Sequence, residues 1–244
     1  MSRWKLKEDE FFSTIWGKLF LFITPFAIAA LYISLLYVMI FDKSIFWITG
    51  GGMFAYFFPP AGKESVIPIT ITTLRASKYG LSETAIITLV SGSIAFVDTV
   101  TSYFLLWNFY IAEKIPLIGK WIKRFEEFGA QKMKEKGWIS KIAFVGVALF
   151  VVFPFQGSGG VGGSILGKVI GMNKYQAWFA IMSGSFIGCF IFGIISYYLG
   201  GAVLNAFKTN VFKGVGLLIL IIAVFIFLYY FSKNHVLEKK EKKV

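Results

Sequence analysis

The feature that most restricts this chain is a run of apolar residues from Ile15 to Phe41 that holds a single charge, Lys18. A helix needs about 20 such residues to cross ~30 Å of hydrocarbon. A second run, Gly214 to Phe231, carries no charge at all. Inside a bilayer the backbone satisfies its own hydrogen bonds only as helices or as a closed barrel. Barrel strands alternate in polarity and these runs do not, so the sequence predicts an all-α integral membrane protein. The composition agrees: 57% of residues are hydrophobic and only 16% charged, too few to coat a soluble domain.

Two further apolar regions are too broken to be simple crossings. Residues 45–79 contain Gly50-Gly51-Gly52, then Pro59-Pro60-Ala61-Gly62-Lys63-Glu64, then Pro68. Residues 142–173 contain Pro154 and then Gly157-Ser158-Gly159-Gly160-Val161-Gly162-Gly163. Proline removes a helical hydrogen bond, and each half alone is too short to span. Broken backbone is tolerated in a membrane only when buried in protein or lining a wet cavity. Each region therefore reads as a re-entrant helical hairpin, with Pro59, Pro60, Pro68 and Pro154 as structural breaks. In the second, the rear half-helix is expected to begin near Ser164.

The two regions match each other. Phe58-Pro59-x-x-Gly62 aligns with Phe153-Pro154-x-x-Gly157, Gly80-Leu81-Ser82 with Gly171-Met172-Asn173, Ser91-Gly92-Ser93 with Ser183-Gly184-Ser185, and Ser102-Tyr103 with Ser196-Tyr197. Charge decides their relative orientation. With the N-terminus inside and one hairpin on each face, the inner segments hold 17 Lys and Arg and the outer segments five. That asymmetry follows the positive-inside rule and predicts an inverted repeat. The expected architecture is a single membrane domain of four transmembrane helices plus two opposed re-entrant hairpins, with both termini cytoplasmic in a cell membrane. Residues 1–14 form a tail, 45–112 repeat 1 and 113–141 a basic amphipathic connector on the headgroups. Residues 142–200 form repeat 2, 214–231 the last helix and 232–244 a basic tail.

The net charge of +12 belongs to these membrane flanks, so nucleic acid is not an expected partner. One cysteine, Cys189, excludes an internal disulfide. One histidine, His235 in the tail, argues against a Ser–His–Asp set and against a zinc or haem site. No catalytic motif stands out, and no enzyme or cofactor is expected.

Chemistry concentrates at the breaks. The second half-helix of each hairpin starts deep in the membrane with unpaired N–H groups and a positive dipole end. The stretch Gly157 to Gly163, with Gly157, Ser158, Gly159 and Gly160 as its candidate contacts, reads as an anion-binding nest; the alternative is that the glycines only permit a tight turn. Lys63 and Glu64 at the first break are either ionisable groups at depth or wet groups near the interface. Glu64 would carry a coupling proton, and Lys63 would meet a phosphate or pair with Glu64. Asp98 lies mid-way along a crossing, on a face shared by Thr84, Thr88, Ser91, Ala95 and Ser102. Candidate partners for it are Lys63, Arg75 and Lys168, in a coupling or a purely structural ion pair. Gly184-x-x-x-Gly188 reads as a helix-packing motif.

Pro60-Ala-Gly-Lys-Glu64-Ser-Val-Ile-Pro68 resembles the glutamate–isoleucine–proline element of the small multi-drug export protein family. Pro154-Phe-Gln-Gly157-Ser-Gly159-Gly-Val-Gly-Gly163 resembles its Pro-x-Pro-Gly-Thr-Gly element, and Ala177 to Gly184 is also similar. The resemblance covers roughly residues 45–200. An arginine of the family pattern is missing where Ser65 and Val66 stand, and Phe155 replaces its second proline. The resemblance implies membership of the wider DedA/VTT superfamily, with two opposed re-entrant hairpins and lipid translocation. It carries functional positions onto Glu64, Gly157 and Gly159. The leading expectation is an ion-coupled translocase of an anionic lipid such as polyprenyl phosphate, driven by protons or sodium through Glu64 or Asp98. The alternatives are a proton-coupled exporter of small organic compounds, or a non-transporting membrane organiser. Membrane lipids are the expected partners, and a homo-oligomer is compatible with each reading.

Overall fold

A computed structural model describes residues 14–58, 61–77, 79–109, 137–153 and 157–209, with side chains described as far as residue 200 except in 137–141. Among these residues the structure is helical throughout: α1 (Ile15–Met39), α2 (Lys43–Tyr56), α3 (Lys63–Ala76), α4 (Glu83–Asn108), α5 (Gly137–Val152), α6 (Gly160–Ile170) and α7 (Lys174–Thr209). The tail 1–13, Pro59, Pro60, Pro154, the connector 113–136, the helix expected at 214–231 and the basic tail lie outside the described residues. The chain divides into two compact units, Met1–Tyr197 and Tyr198–Val244. Of the second, only the last helical turns of α7 are described.

Among the described residues three helices are long and apolar enough to cross a membrane: α1, α4, and Lys174–Gly200 of α7. Thr14 caps α1, its hydroxyl accepting from the Gly17 N–H at 3.1 Å, and the helix runs on through Pro25. It buries little beyond Gly17, Leu21 and Pro25. Its remaining surface, with Trp16, Phe26, Leu31 and Val38 exposed, demands an apolar medium. Ser82 caps α4, which at 1.5 Å per residue is about 39 Å long, longer than the hydrocarbon requires.

The other described helices are short. At 1.5 Å per residue α2, α3, α5 and α6 measure about 17–24 Å, less than a bilayer's ~30 Å. They come as two broken pairs, α2–α3 and α5–α6, where the sequence predicts its two interrupted regions. The first break falls at Phe57–Gly62. Pro68 is not a break: it lies inside α3. The only hydrogen bond it forfeits is to the carbonyl of Glu64 in the helix's first turn, and the helix absorbs that loss. α5 includes residues 137–141, the last five of the expected connector, and these are helical.

A larger correction concerns the glycine stretch. α6 starts at Gly160, four residues before the expected Ser164, so Gly160 to Gly163 are helix and not loop. Only Gly157 needs the left-handed region, with φ +83°. The helical glycines serve close packing: a Cβ at Gly163 would come within 2.8 Å of Ile181 and 2.9 Å of Val151. α6 closes on Gly171 (φ +81°), which turns the Met172 N–H to the Gly167 carbonyl and its own N–H to that of Lys168.

Two apolar clusters flank the centre. One joins α2, α3 and α4 around Ile67, Ile71, Val90 and Ile94 and reaches Cys189 of α7. The other joins Leu106 of α4 to Val147 and Val151 of α5 and to Ala177, Ala180 and Ile181 of α7. Gly184 and Gly188 of α7 lie against the backbone of Ala148 and Val152, as the packing reading of that motif expects.

Candidate functional site

Between the clusters sits a polar centre built around one carboxylate. Asp98, near the middle of α4, is 2% exposed. A naked charge there is expensive, so each oxygen needs donors. Oδ1 accepts from the Tyr56 hydroxyl at 2.9 Å and from the Gly160 N–H at 2.6 Å. Oδ2 accepts from the Ser185 hydroxyl at 2.6 Å and lies 3.6 Å from the Lys63 ammonium. Lys63, 1% exposed, also donates to the Val151 carbonyl at 2.7 Å. Every described helix except α1 contributes one group: Tyr56 ends α2, Lys63 opens α3, Asp98 is on α4, Val151 is near the end of α5, Gly160 opens α6 and Ser185 is on α7.

The placement follows from helix-end electrostatics. Asp98 meets the positive N-terminus of α6 at its first N–H. Lys63 meets the negative C-terminus of α5, where carbonyls lack helical partners. Each member of the ion pair is thus matched by a helix end of opposite sign. The glycines are required sterically: a Cβ at Gly159 would strike Asp98 Oδ1 and the Tyr56 hydroxyl, and one at Gly160 would strike the Asp98 backbone.

A cavity of about 350 Å³ opens beside this centre, walled by Tyr56, Gly62, Lys63, Asp98, the loop residues Gly157 and Gly159, and Gly160 and Val161 of α6. Glu64 stands in the first turn of α3, its carboxylate lying where a Gly62 Cβ would be. Its Oε2 is buried and takes no hydrogen bond from the described residues. Among the described residues no group of three His, Cys, Asp or Glu could hold a metal ion.

The structure brings together Lys63, Asp98, Gly157, Gly159 and Gly160, and sets Glu64 behind Gly62. It places three other candidates differently. The Ser158 hydroxyl donates to the Phe153 carbonyl at 2.5 Å, inside its own loop. Arg75, in the last turn of α3, donates to the Tyr197 carbonyl and lies over that residue's ring at 4.4 Å. Lys168, in the last turn of α6, stands 5.7 Å from the ring of Phe109. Of the three cations considered for Asp98, Lys63 alone forms an ion pair with it. The sequence reading missed Tyr56, Ser185 and the Val151 carbonyl. Ser185 stood within a matched repeat element, whereas Tyr56 gave no signal at all.

No curated protein and no solved structure matches the chain. The family described as "Putative small multi-drug export protein" matches over residues 64–191, just over half of the 244-residue chain. That span opens on Glu64 and takes in Asp98, Gly157, Gly159, Gly160 and Ser185. The chain belongs to this small multi-drug export protein family.

Proposed function

We propose that the protein is an ion-coupled exporter of small organic compounds, with the Lys63–Asp98 pair as its coupling element and the adjoining cavity as its substrate chamber. The observation that carries this is a buried ion pair whose carboxylate lies mid-way along a membrane-length helix, at the breaks of two interrupted helix pairs and bordering a cavity. Intramembrane charges mark ion and substrate paths, and opposed broken helices are a recurrent transporter device. Protonating Asp98 would remove the charge that holds Lys63, so a proton or sodium ion has a direct route to the contact between hairpins. Glu64, with one oxygen lacking a partner, is a second proton acceptor beside it.

The family description names drug export, so of the functions expected from the sequence the exporter fits best. Translocation of an anionic lipid, the leading expectation, gains no support from that match, and neither does the DedA/VTT placement. The geometry gives a phosphate little to hold, because the Lys63 ammonium already donates to the Val151 carbonyl and pairs with Asp98. The residues on which the organiser reading rests lie outside the described ones.

Transport in liposomes under an imposed pH or sodium gradient tests the proposal. Wild-type protein is expected to move fluorescent amphipathic compounds out of the lumen it faces. Asp98→Asn should slow this at least tenfold and Glu64→Gln measurably. Unchanged rates for both variants across a panel of compounds would remove the coupling role.

The proposal includes the re-entrant, inverted arrangement, since four helices of about 17–24 Å cannot each span. Single cysteines at positions 61 and 161, both lining the cavity, in a Cys189→Ser background, test it with an impermeant maleimide. Position 61 should react from outside and position 161 from inside. Labelling of both from one side would overturn the inverted topology.

A further inference from the structure

A second cavity, of about 470 Å³, lies between α1, α2 and α4. Gly50 and Gly51 of α2 form part of its wall, and a Cβ at either would meet no atom within 4 Å. Glycine weakens a helix, and here no close approach requires it. The third glycine of the run is different, since a Cβ at Gly52 would strike Thr70. What the Gly50–Gly51 pair provides is empty volume.

The rest of that wall is apolar and rich in rings, with Phe46, Trp47, Phe54, Phe57 and Phe96. Phe96 is held in place by Tyr32, stacked at 3.9 Å, whose hydroxyl lies 3.0 Å from that of Ser93. Phe57, Val97 and Thr101 line both cavities, so the aromatic chamber adjoins the polar one. Both volumes fall in the range of small-molecule sites, and together they pair an apolar body with a polar end.

Charge selects the ligand. Asp98 and the ammonium of Lys63 line the polar chamber, and a second carboxylate, Glu64, lies behind Gly62 of its wall. That ammonium already serves Asp98 and the Val151 carbonyl. Glu64 Oε2 is buried, without a hydrogen-bond partner among the described residues, against Gly62 of the chamber wall. A cation at this end offsets the unpaired carboxylate, whereas an anion adds a third negative charge. Aromatic faces add further attraction for a cation.

We infer that the two cavities form one amphipathic site for a lipophilic organic cation, its apolar body over Gly50–Gly51 among the rings and its charge toward the chamber of Asp98, with Glu64 behind the Gly62 wall. This rests on the exporter reading and names its substrate class.

The test is equilibrium binding to the detergent-solubilised full chain, with tetraphenylphosphonium as probe and tetraphenylborate as the anion of like shape. Wild-type protein should bind the cation at least tenfold more tightly than the anion. Gly51→Leu, whose Cβ enters open space, should weaken cation binding at least tenfold without lowering the thermal midpoint, and Gly51→Ala should fall between. If Gly51→Leu fails to fold, Gly50→Leu fills the same space and carries the same expectation. Equal or tighter binding of the borate, or cation binding untouched by the filled cavity, would overturn the inference. A wild-type protein that transports other compounds yet does not bind the cation would sink this inference and leave the exporter standing. Binding as described, without gradient-driven transport of any compound, would do the reverse.

Discussion

Lys63→Met is expected to be the most destabilising single change at the polar centre, at about 3–5 kcal/mol, the usual cost of orphaning one member of a buried ion pair. Met preserves most of the side-chain volume but removes the ammonium. Asp98, 2% exposed, then keeps three hydrogen-bond donors and no counter-charge. The Val151 carbonyl loses its side-chain donor as well, a smaller penalty of about 1–3 kcal/mol if water does not enter. The double variant Lys63→Met with Asp98→Asn separates these terms. An asparagine placed with its oxygen at Oδ1 still accepts from Tyr56 and Gly160, and its amide can donate to Ser185. With no charge left to strand, the double variant should recover at least half of the loss. SDS-driven unfolding in mixed micelles, followed by circular dichroism, measures all three proteins. A Lys63→Met protein within about 0.5 kcal/mol of wild type would mean that Asp98 is already neutral, or that water reaches it.

What the sequence makes legible here divides by physical range. Local features read well. Pro59, Pro60, Gly62 and Gly157 fall between helices, and the short apolar halves on either side become α2, α3, α5 and α6. Asp98 is conspicuous because a lone carboxylate in a membrane helix must find partners. Its actual partners are another matter. Lys63, Arg75 and Lys168 are equivalent as letters. Lys63 takes the role because it opens α3 at the break, whereas Arg75 and Lys168 sit in the last turns of α3 and α6. Tyr56 and Ser185 reach Asp98 across 42 and 87 residues of sequence, a separation no local pattern encodes. The misread glycine stretch has a different cause. Glycine serves both for positive φ and for close approach, and the two uses look alike in sequence. Gly157 has the first role, Gly160 and Gly163 the second, and Gly50 and Gly51 neither.

Gly160→Ala is expected to be nearly as damaging as the loss of Lys63, although it adds a single methyl group. The new Cβ would land on the backbone of Asp98, at its carbonyl oxygen, Cα and carbonyl carbon. Backbone inside a packed helix cannot rotate away, so α6 must retreat from α4. Retreat lengthens the 2.6 Å hydrogen bond from the Gly160 N–H to Asp98 Oδ1 and withdraws the positive end of α6 from the carboxylate. Overpacking alone costs about 1–3 kcal/mol, and the weakened charge-assisted bond adds about 1.5–3 kcal/mol more. Gly163→Ala should cost less, because its neighbours are the side chains of Ile181 and Val151, which can shift rotamer. Gly92→Ala and Gly146→Ala, whose Cβ atoms would meet nothing within 4 Å, should be neutral or stabilising by up to about 1 kcal/mol. The expected order of cost is therefore Gly160, then Gly163, then the two open sites, measured by the same SDS unfolding. Transport should follow the same order if the contact between α6 and Asp98 is part of the coupling. A Gly160→Ala protein as stable as Gly146→Ala would mean that α6 does not lie against α4 at Asp98, and the carboxylate would then need another donor.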